Sequence, residues 1–395
     1  MTKESRRTWF AATDLRLEDF RAVVERVTDP ADHWYADSVE QNVPIYGEAL
    51  RERIEPGQDR RKVQAELVRV LLDGPGIAVF KGAFDVAVVD RATAVFEAII
   101  VDQKARGAVA GDHFAKPGAN DRVWGALDKL ALRAPEVFVD YYGNSILALI
   151  CEAWLGPGYQ MTSQVNVVNP GGQAQVAHTD YHLGFMSVEQ AQAYPMHVHA
   201  LSPALTLQGA VAHTAMPVET GPTMYLPYSQ LYQGGYVACH KREFVDYFDE
   251  HYVQLPLDKG DAVFFNPGLY HGAGTNRSRD VRRMANLLQV SSPFGRAMES
   301  VDRVAISKAL FPVLRQRRAA GASDAFLRCV VAASAEGYAF PTNLDRDQPV
   351  GDLAPESQAG LVWRALTEGW DENTLATELD AHRERHQVAG HRSSL

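Results

Sequence analysis

Between residues 159 and 292 the chain is cut into short runs of β-forming residues separated by turns, and this limits the fold more than any other feature. TSQVNVVNPGG, AQVAHTDYHLGF, ALTLQGAVAHTAMP, GPTMYLPYS, YVQLPLDKGDAVFFNPG and RRMANLLQVSS are each bounded by Gly, Pro, Asn or Asp. Strands this short and this closely spaced predict a β-sandwich or jelly roll. Helical periodicity holds on both sides. LRLEDFRAVVERV puts Leu17, Phe20, Val23, Val24 and Val27 on one face. RRKVQAELVRVLLDG, VVDRATAVFEAIIVDQ and PEVFVDYYGNSILALICEAWLG read as further helices, with GIAVFKGAF as one short strand among them. After Pro293, RVAISKALFPVLRQRRAA, LAPESQAGLVWRALTEGW and ENTLATELDAHRERH are helical again. The expectation is a single domain: a helical region with a short strand over 1–158, a β core over 159–292 and a helical extension over 293–395.

Inside the β core, QVAHTDYHLGF places His178, Asp180 and His182 at every second position. On a strand, all three would project from one face. Imidazole and carboxylate are ligands that a divalent first-row metal accepts, and an H-x-D pair supplies two adjacent corners of an octahedron. The third corner falls to His271, which KGDAVFFNPGLYH delivers where a buried strand ends. The opposite face then stays open, as in two-His-one-carboxylate iron oxygenases. Arg282, opening RRMANLLQV, offers a bidentate partner for the far carboxylate of a dicarboxylate co-substrate. The competing reading is a polar surface stripe plus a turn histidine.

The totals fit a folded enzyme. With 395 residues, 46% hydrophobic and 22% charged, the chain can enclose a dry site. A formal net charge of −10 argues against nucleic acid and anionic membrane surfaces as partners. Cys151, Cys239 and Cys329 form no CxxC and suit a reducing compartment. The start, MTKESRRTWFAATDLRLEDF, has no apolar signal region, and no apolar run is long enough for a membrane span. The expected location is cytoplasmic. There is no GxxxxGK[ST], GxGxxG after a strand, HExxH or GxSxG.

These residues resemble the phytanoyl-CoA dioxygenase family of Fe(II)/2-oxoglutarate oxygenases. The resemblance rests on HTD at 178–180, ETGPTMYLPYSQ at 219–230, KGDAVFFNPGLYHGAGTN at 259–276 and Arg282, and spans roughly residues 75–292. It implies a double-stranded β-helix (jelly roll, cupin-like) with flanking helices, and His178, Asp180 and His271 as catalytic iron ligands. It implies Arg282 as the 2-oxoglutarate anchor, with Gln164 and Asn166 as co-substrate helpers. It also implies oxygen consumption and release of succinate and CO2 as a small organic substrate is hydroxylated. The ETGPTMYLPYSQ segment ends in Ser229-Gln230 where the family commonly has Ser-His. Asp180 argues against halogenation, for which related enzymes replace the carboxylate by a small residue.

Other residues are weighed separately. His182 is either pocket-lining or structural. The stretch GDHFAKPGANDRVWGAL, 111–127, has the mixture of an active-site lid or a solvated loop; as a lid, His113, Lys116 and Arg122 would meet an anionic substrate. His197, His199, His213 and His240 read as surface or core histidines. Two rivals remain: a cupin-like Zn or Mn hydrolase or isomerase with His182 as fourth ligand, and a non-catalytic binding protein. The helical additions could shape the pocket or build a homodimer.

Overall fold

The computed structural model describes residues 8–54, 59–107 and 119–388. Among the described residues, eleven strands run in chain order: β1 (Ser38–Glu40), β2 (Val43–Tyr46), β3 (Ile77–Phe80), β4 (Asn120–Val123), β5 (Gln160–Val168), β6 (Thr206–Ala212), β7 (Met224–Tyr225), β8 (Val253–Gln254), β9 (Ala262–Phe265), β10 (His271–Gly272) and β11 (Arg283–Ser291). They form an eight-stranded sheet, ordered β1-β2-β3-β9-β6-β11-β5-β4, and a three-stranded sheet, β10-β7-β8. An isolated antiparallel bridge between His178 and His271 adds a fourth row to the small sheet. From β5 onward the chain passes back and forth between the sheets, from β5 to the His178 bridge, to β6, to β7 and β8, to β9, to β10 and to β11, as in the double-stranded β-helix expected from the sequence.

Alternation along each strand sorts the side chains into two layers. One face of the large sheet presents Val165, Val167, Leu207, Val211, Phe264, Met284, Leu288 and Val290 to the helices. The helices Val86–Ala105, Pro135–Tyr142, Ser145–Leu155 and Arg303–Ala319 join these residues in one buried core. The other face looks toward the small sheet, and Val79, Val263, Phe265, Met216, Tyr225 and Leu257 pack between the two. The turn into β9 depends on Gly260, whose φ of 91° disfavours any side chain. Asp261 beside it accepts from the backbone N–H groups of Gly82 and Asp258, both at 2.7 Å, and from Lys81 Nζ at 2.6 Å.

The N-terminal region differs from expectation by holding four strands among its described residues, not one. β4, Asn-Asp-Arg-Val, has poor β-formers and forms because β5 offers it a partner, with Arg122 opposite Asn166. The expected single helix over PEVFVDYYGNSILALICEAWLG is two helices, Pro135–Tyr142 and Ser145–Leu155. No helix among the described residues is long and apolar enough to cross a membrane.

Candidate metal centre and its pocket

His178 and His271 face each other because their backbones pair. His178 N–H donates to His271 O at 2.9 Å, and His271 N–H returns to His178 O at 3.0 Å. The turn Asn266–Leu269 feeds His271 into this pairing, and Asn266 Oδ1 accepts from Gly268 N–H at 2.9 Å. Pro267 O receives Asp180 N–H at 3.0 Å. One turn therefore fixes both the third histidine and the carboxylate.

The ring nitrogens are sorted by their neighbours. Nδ1 of His178 lies 2.9 Å from Val176 O, and Nδ1 of His271 lies 2.9 Å from Leu269 O. A carbonyl can only accept, so each Nδ1 carries the hydrogen, and each Nε2 can present a lone pair. The Nε2 of His178 is 3.8 Å and that of His271 3.4 Å from the Asp180 carboxylate. One ligand atom from each of the three lies within 4.8 Å of the others. Burial opposes charge on Asp180, but the neighbouring His271 and His178 imidazoles and the Gln208 amide together outweigh it and hold the carboxyl at about 2. Burial pulls His178 below its usual range. Two imidazole nitrogens with lone pairs to present and a carboxylate converging on one point fit a divalent metal.

The three donors line one cavity that opens to solvent. Gln208 also lines it and donates from Nε2 to Asp180 Oδ2. Asn166 faces the cavity and its buried Oδ1 has no hydrogen-bond partner. Gln164 lies beneath the lining, bonded to Arg122 and Gln289. Arg122 lines the cavity from β4.

Arg282, the expected co-substrate anchor, does not reach it. Its guanidinium is at the surface, 3.0 Å from Glu97 and 3.6 Å from Asp121. The neighbouring Arg283 takes the inward position: it is 6% exposed, lines the cavity and donates to Thr220 O at 3.2 Å. Burial draws this guanidinium down to about 10, so it stays charged at neutral pH. The sequence held a signal for this choice. Arg282 has the parity of Met284, Leu288 and Val290, which pack under the helices.

His182 also departs from expectation. The backbone turns left-handed at Tyr181 (φ 63°) and His182 (φ 37°), and a 3-10 turn, His182–Phe185, begins there. His182 therefore leaves the face of His178 and Asp180 and meets Ser202 Oγ at 3.2 Å. His113 and Lys116 lie outside the described residues, as does the first part of the expected lid, 111–118. His213 is a core histidine, between Thr93 Oγ1 at 2.8 Å and Tyr141 OH at 2.9 Å. His199 is buried at Ala191 O, 3.0 Å away, within the helix Met196–Leu201. Gln208 and Arg283 are the site residues that sequence reasoning missed.

Fold and donor set define a metal-binding double-stranded β-helix with an open cavity beside the metal. The family model Phytanoyl-CoA dioxygenase (PhyH) matches residues 72–284, more than half of the chain, and the chain belongs to that family. Its cofactor set is Fe(II), 2-oxoglutarate and oxygen, which the donors on this cavity fit. The Emericella variicolor protein Dioxygenase andF is 28% identical over 138 residues, 34% of this chain and 43% of that protein. Dioxygenase trt7 of Aspergillus terreus (strain NIH 2624 / FGSC A1156) is 29% identical over 150 residues, 38% of this chain and 42% of its own. The chain thus spans less than half the length of these curated relatives. Among solved structures, the non-heme alpha ketoglutarate dependent carbocyclase SnoK from nogalamycin biosynthesis shares 19% identity with a TM-score of 0.42, covering 62% of this chain and 89% of that one.

Proposed function

We propose that the protein is an Fe(II)/2-oxoglutarate-dependent dioxygenase that oxidises a small organic substrate, with hydroxylation as its default outcome. His178, Asp180 and His271 hold the iron, and Arg283 takes the distal carboxylate of 2-oxoglutarate. When bound, iron with 2-oxoglutarate and oxygen supplies oxidative decarboxylation to succinate and CO2, with one oxygen atom delivered to the substrate. The chain's own groups prepare this. The Nδ1–H bonds to Val176 and Leu269 aim both imidazoles. Gln208 orients the Asp180 carboxylate. The apolar wall, with Leu255, Leu257, Phe265 and Leu287, keeps water from the reacting carbon. The carrying observation is that the three donors and the buried Arg283 guanidinium share a single cavity.

The test needs no substrate. Apo-protein is loaded anaerobically with Fe(II), 2-oxoglutarate is added, and the visible charge-transfer band of the chelate is titrated. The wild type should form the band and His271→Ala should lose it. Arg283→Ala should need ~30-fold or more 2-oxoglutarate, since truncating one side of a buried charge pair typically costs about 2–5 kcal/mol. Arg282→Ala should titrate like the wild type. Iron bound without a band, in the wild type, would refute the assignment and favour a cupin-like Zn or Mn enzyme or a binding protein.

A further inference from the structure

We infer that the side-chain carbonyl of Gln208 receives a hydrogen-bond donor of the molecule being oxidised, so that the substrate is an apolar molecule with a hydroxyl or N–H group beside the carbon presented to the metal. The inference rests on the reading above and extends it to the substrate.

The orientation of this amide follows from its neighbour. A carboxylate that ligates a metal is ionised and can only accept, so Gln208 must turn its NH2 group to Asp180 Oδ2. Its Oε1 then faces away from that carboxylate. Gln208 is 7% exposed and lines the cavity from β6, and its buried Oε1 has no hydrogen-bond partner among the described residues. Gln289 stands opposite on β11 and is bonded instead to Gln164, whose Nε2 it accepts at 3.1 Å. An acceptor buried without a partner destabilises the site, and a ligand that brings a donor relieves this.

The co-substrate cannot be that ligand. 2-Oxoglutarate is a dianion whose two carboxylates and ketone are all acceptors, and oxygen has no hydrogen to give. Position agrees with the chemistry. Arg283, the proposed co-substrate anchor, is six residues from Gln289 along β11, roughly 20 Å at strand spacing. Asn166 Oδ1, also unpaired, stands toward Arg283, since Asn166 is opposite Ala285. Gln208 therefore belongs to the substrate's part of the cavity.

The same amide fixes where the donor sits. Nε2 and Oε1 are about 2.3 Å apart by covalent geometry, so a donor on Oε1 is held close to the metal-ligating carboxylate. The substrate carbon next to that donor is thereby set beside the metal. The wall around it, with Leu255, Leu257, Phe265 and Leu287, is apolar and suits a hydrocarbon body. Phe185, which is 55% exposed, carries this character to the surface.

A matched pair of probes tests this: 1-(1-naphthyl)ethanol, a donor, and 1-acetylnaphthalene, the ketone with the same heavy atoms and no donor. Both are titrated by calorimetry into anaerobic protein saturated with Fe(II) and 2-oxoglutarate, with the chelate band as the check on loading. The wild type should bind the alcohol about 10-fold or more tighter than the ketone, the scale of a buried acceptor left unpaired. Gln208→Met, similar in size but without the carbonyl, should lose that preference and bind the ketone at least as well as the wild type. Gln208→Glu, which keeps an acceptor oxygen in place, should retain the preference. Each preference is a ratio within one metal-saturated protein, so a change in iron affinity does not enter it. Equal affinities in the wild type, or no binding of the alcohol, would overturn the proposal, since water would then serve Oε1. Loss of the preference in both variants would overturn it by reducing Gln208 to an orienter of Asp180. A preference that survives Gln208→Met would overturn it and move the donor to Asn166 Oδ1. A wild type that binds Fe(II) without a chelate band would refute the dioxygenase reading instead, and the same pair, titrated into that Fe(II) protein, would still decide the role of Gln208.

Discussion

Gln208 is a neutral amide, yet it meets Asp180, the acidic member of the three proposed metal donors. Its Nε2 bonds one Asp180 oxygen, so the carboxylate has a fixed rotamer before any metal arrives. Gln208→Ala should weaken Fe(II) binding about 10–100-fold, the range for groups that orient a ligand. Competitive titration with a metal indicator checks this, and unchanged affinity would show that the turn at Pro267 suffices alone. His213 makes the second residue-level case. Burial pushes its imidazole from 6.5 down to about 3. Its folded value is depressed, so the stability it lends is complete above about 6.5 and is lost as pH falls toward 3. Between pH 7 and 5, His213→Gln should lose about 2 kcal/mol less stability than the wild type, read by urea unfolding of metal-free protein. Equal losses would mean His213 takes its proton without unfolding. At this scale the sequence was legible where chemistry demanded a residue type: His178, Asp180 and His271 could be named from spacing. It was misread where strand parity decided. Arg282 and Arg283 are chemically identical, and only the strand register, with Arg283 opposite Val168, turns one inward. His182 was assigned by alternation, which ends where the backbone enters the left-handed region.

The elements themselves were legible in proportion to their length and periodicity. The helices Arg60–Leu72 and Val86–Ala105 and the strands β5, β6 and β11 lie where the patterns put them. Failures fall at punctuation. In VDYYGNSILAL the apolar period runs on, but Asn144 ends one helix and starts the next. Its Oδ1 accepts from Ile146 N–H at 3.0 Å and Leu147 N–H at 2.9 Å, while its Nδ2 donates to Ala83 O at 2.8 Å. An Asn between Gly and Ser is a cap signal that periodicity alone ignores. Asn144→Ala should cost about 1–2 kcal/mol, seen as a lower urea midpoint at an unchanged slope. A neutral effect would show that packing of Leu147 and Ile150 holds the helix start. β4 failed for the opposite reason. Nothing in Asn-Asp-Arg-Val favours a strand locally, and its edges come from pairing with β5. The same pairing carries Arg122 to the cavity, so an element invisible to propensity supplies a pocket residue.

For the whole molecule, the β core and its helical additions share their interior. The large sheet's helix-facing side chains and residues of the C-terminal helices belong to one buried cluster. On the helix Arg303–Ala319, Ile306, Leu310, Phe311 and Leu314 are each at most 1% exposed. Burying each contributes about 1.5–3 kcal/mol, so this helix alone supplies about 6–12 kcal/mol. That equals the net stability of a typical domain, about 5–15 kcal/mol. We propose that the additions are part of the folding unit, although every proposed metal donor lies within 178–271. Arg303 ties the two regions further, donating to Met161 O on β5 at 2.9 Å. Truncation after residue 292 should leave a chain without near-ultraviolet circular dichroism or a chelate band, and calorimetry of the full chain should give one transition with matching van't Hoff and calorimetric enthalpies. A truncated chain that folds and forms the band would make the helices an appendage. Two separate transitions in the full chain would divide it into domains. Metal chemistry needs only three side chains, but holding them with cavity walls in place takes the sheet, and the sheet's outer face is apolar and must be covered.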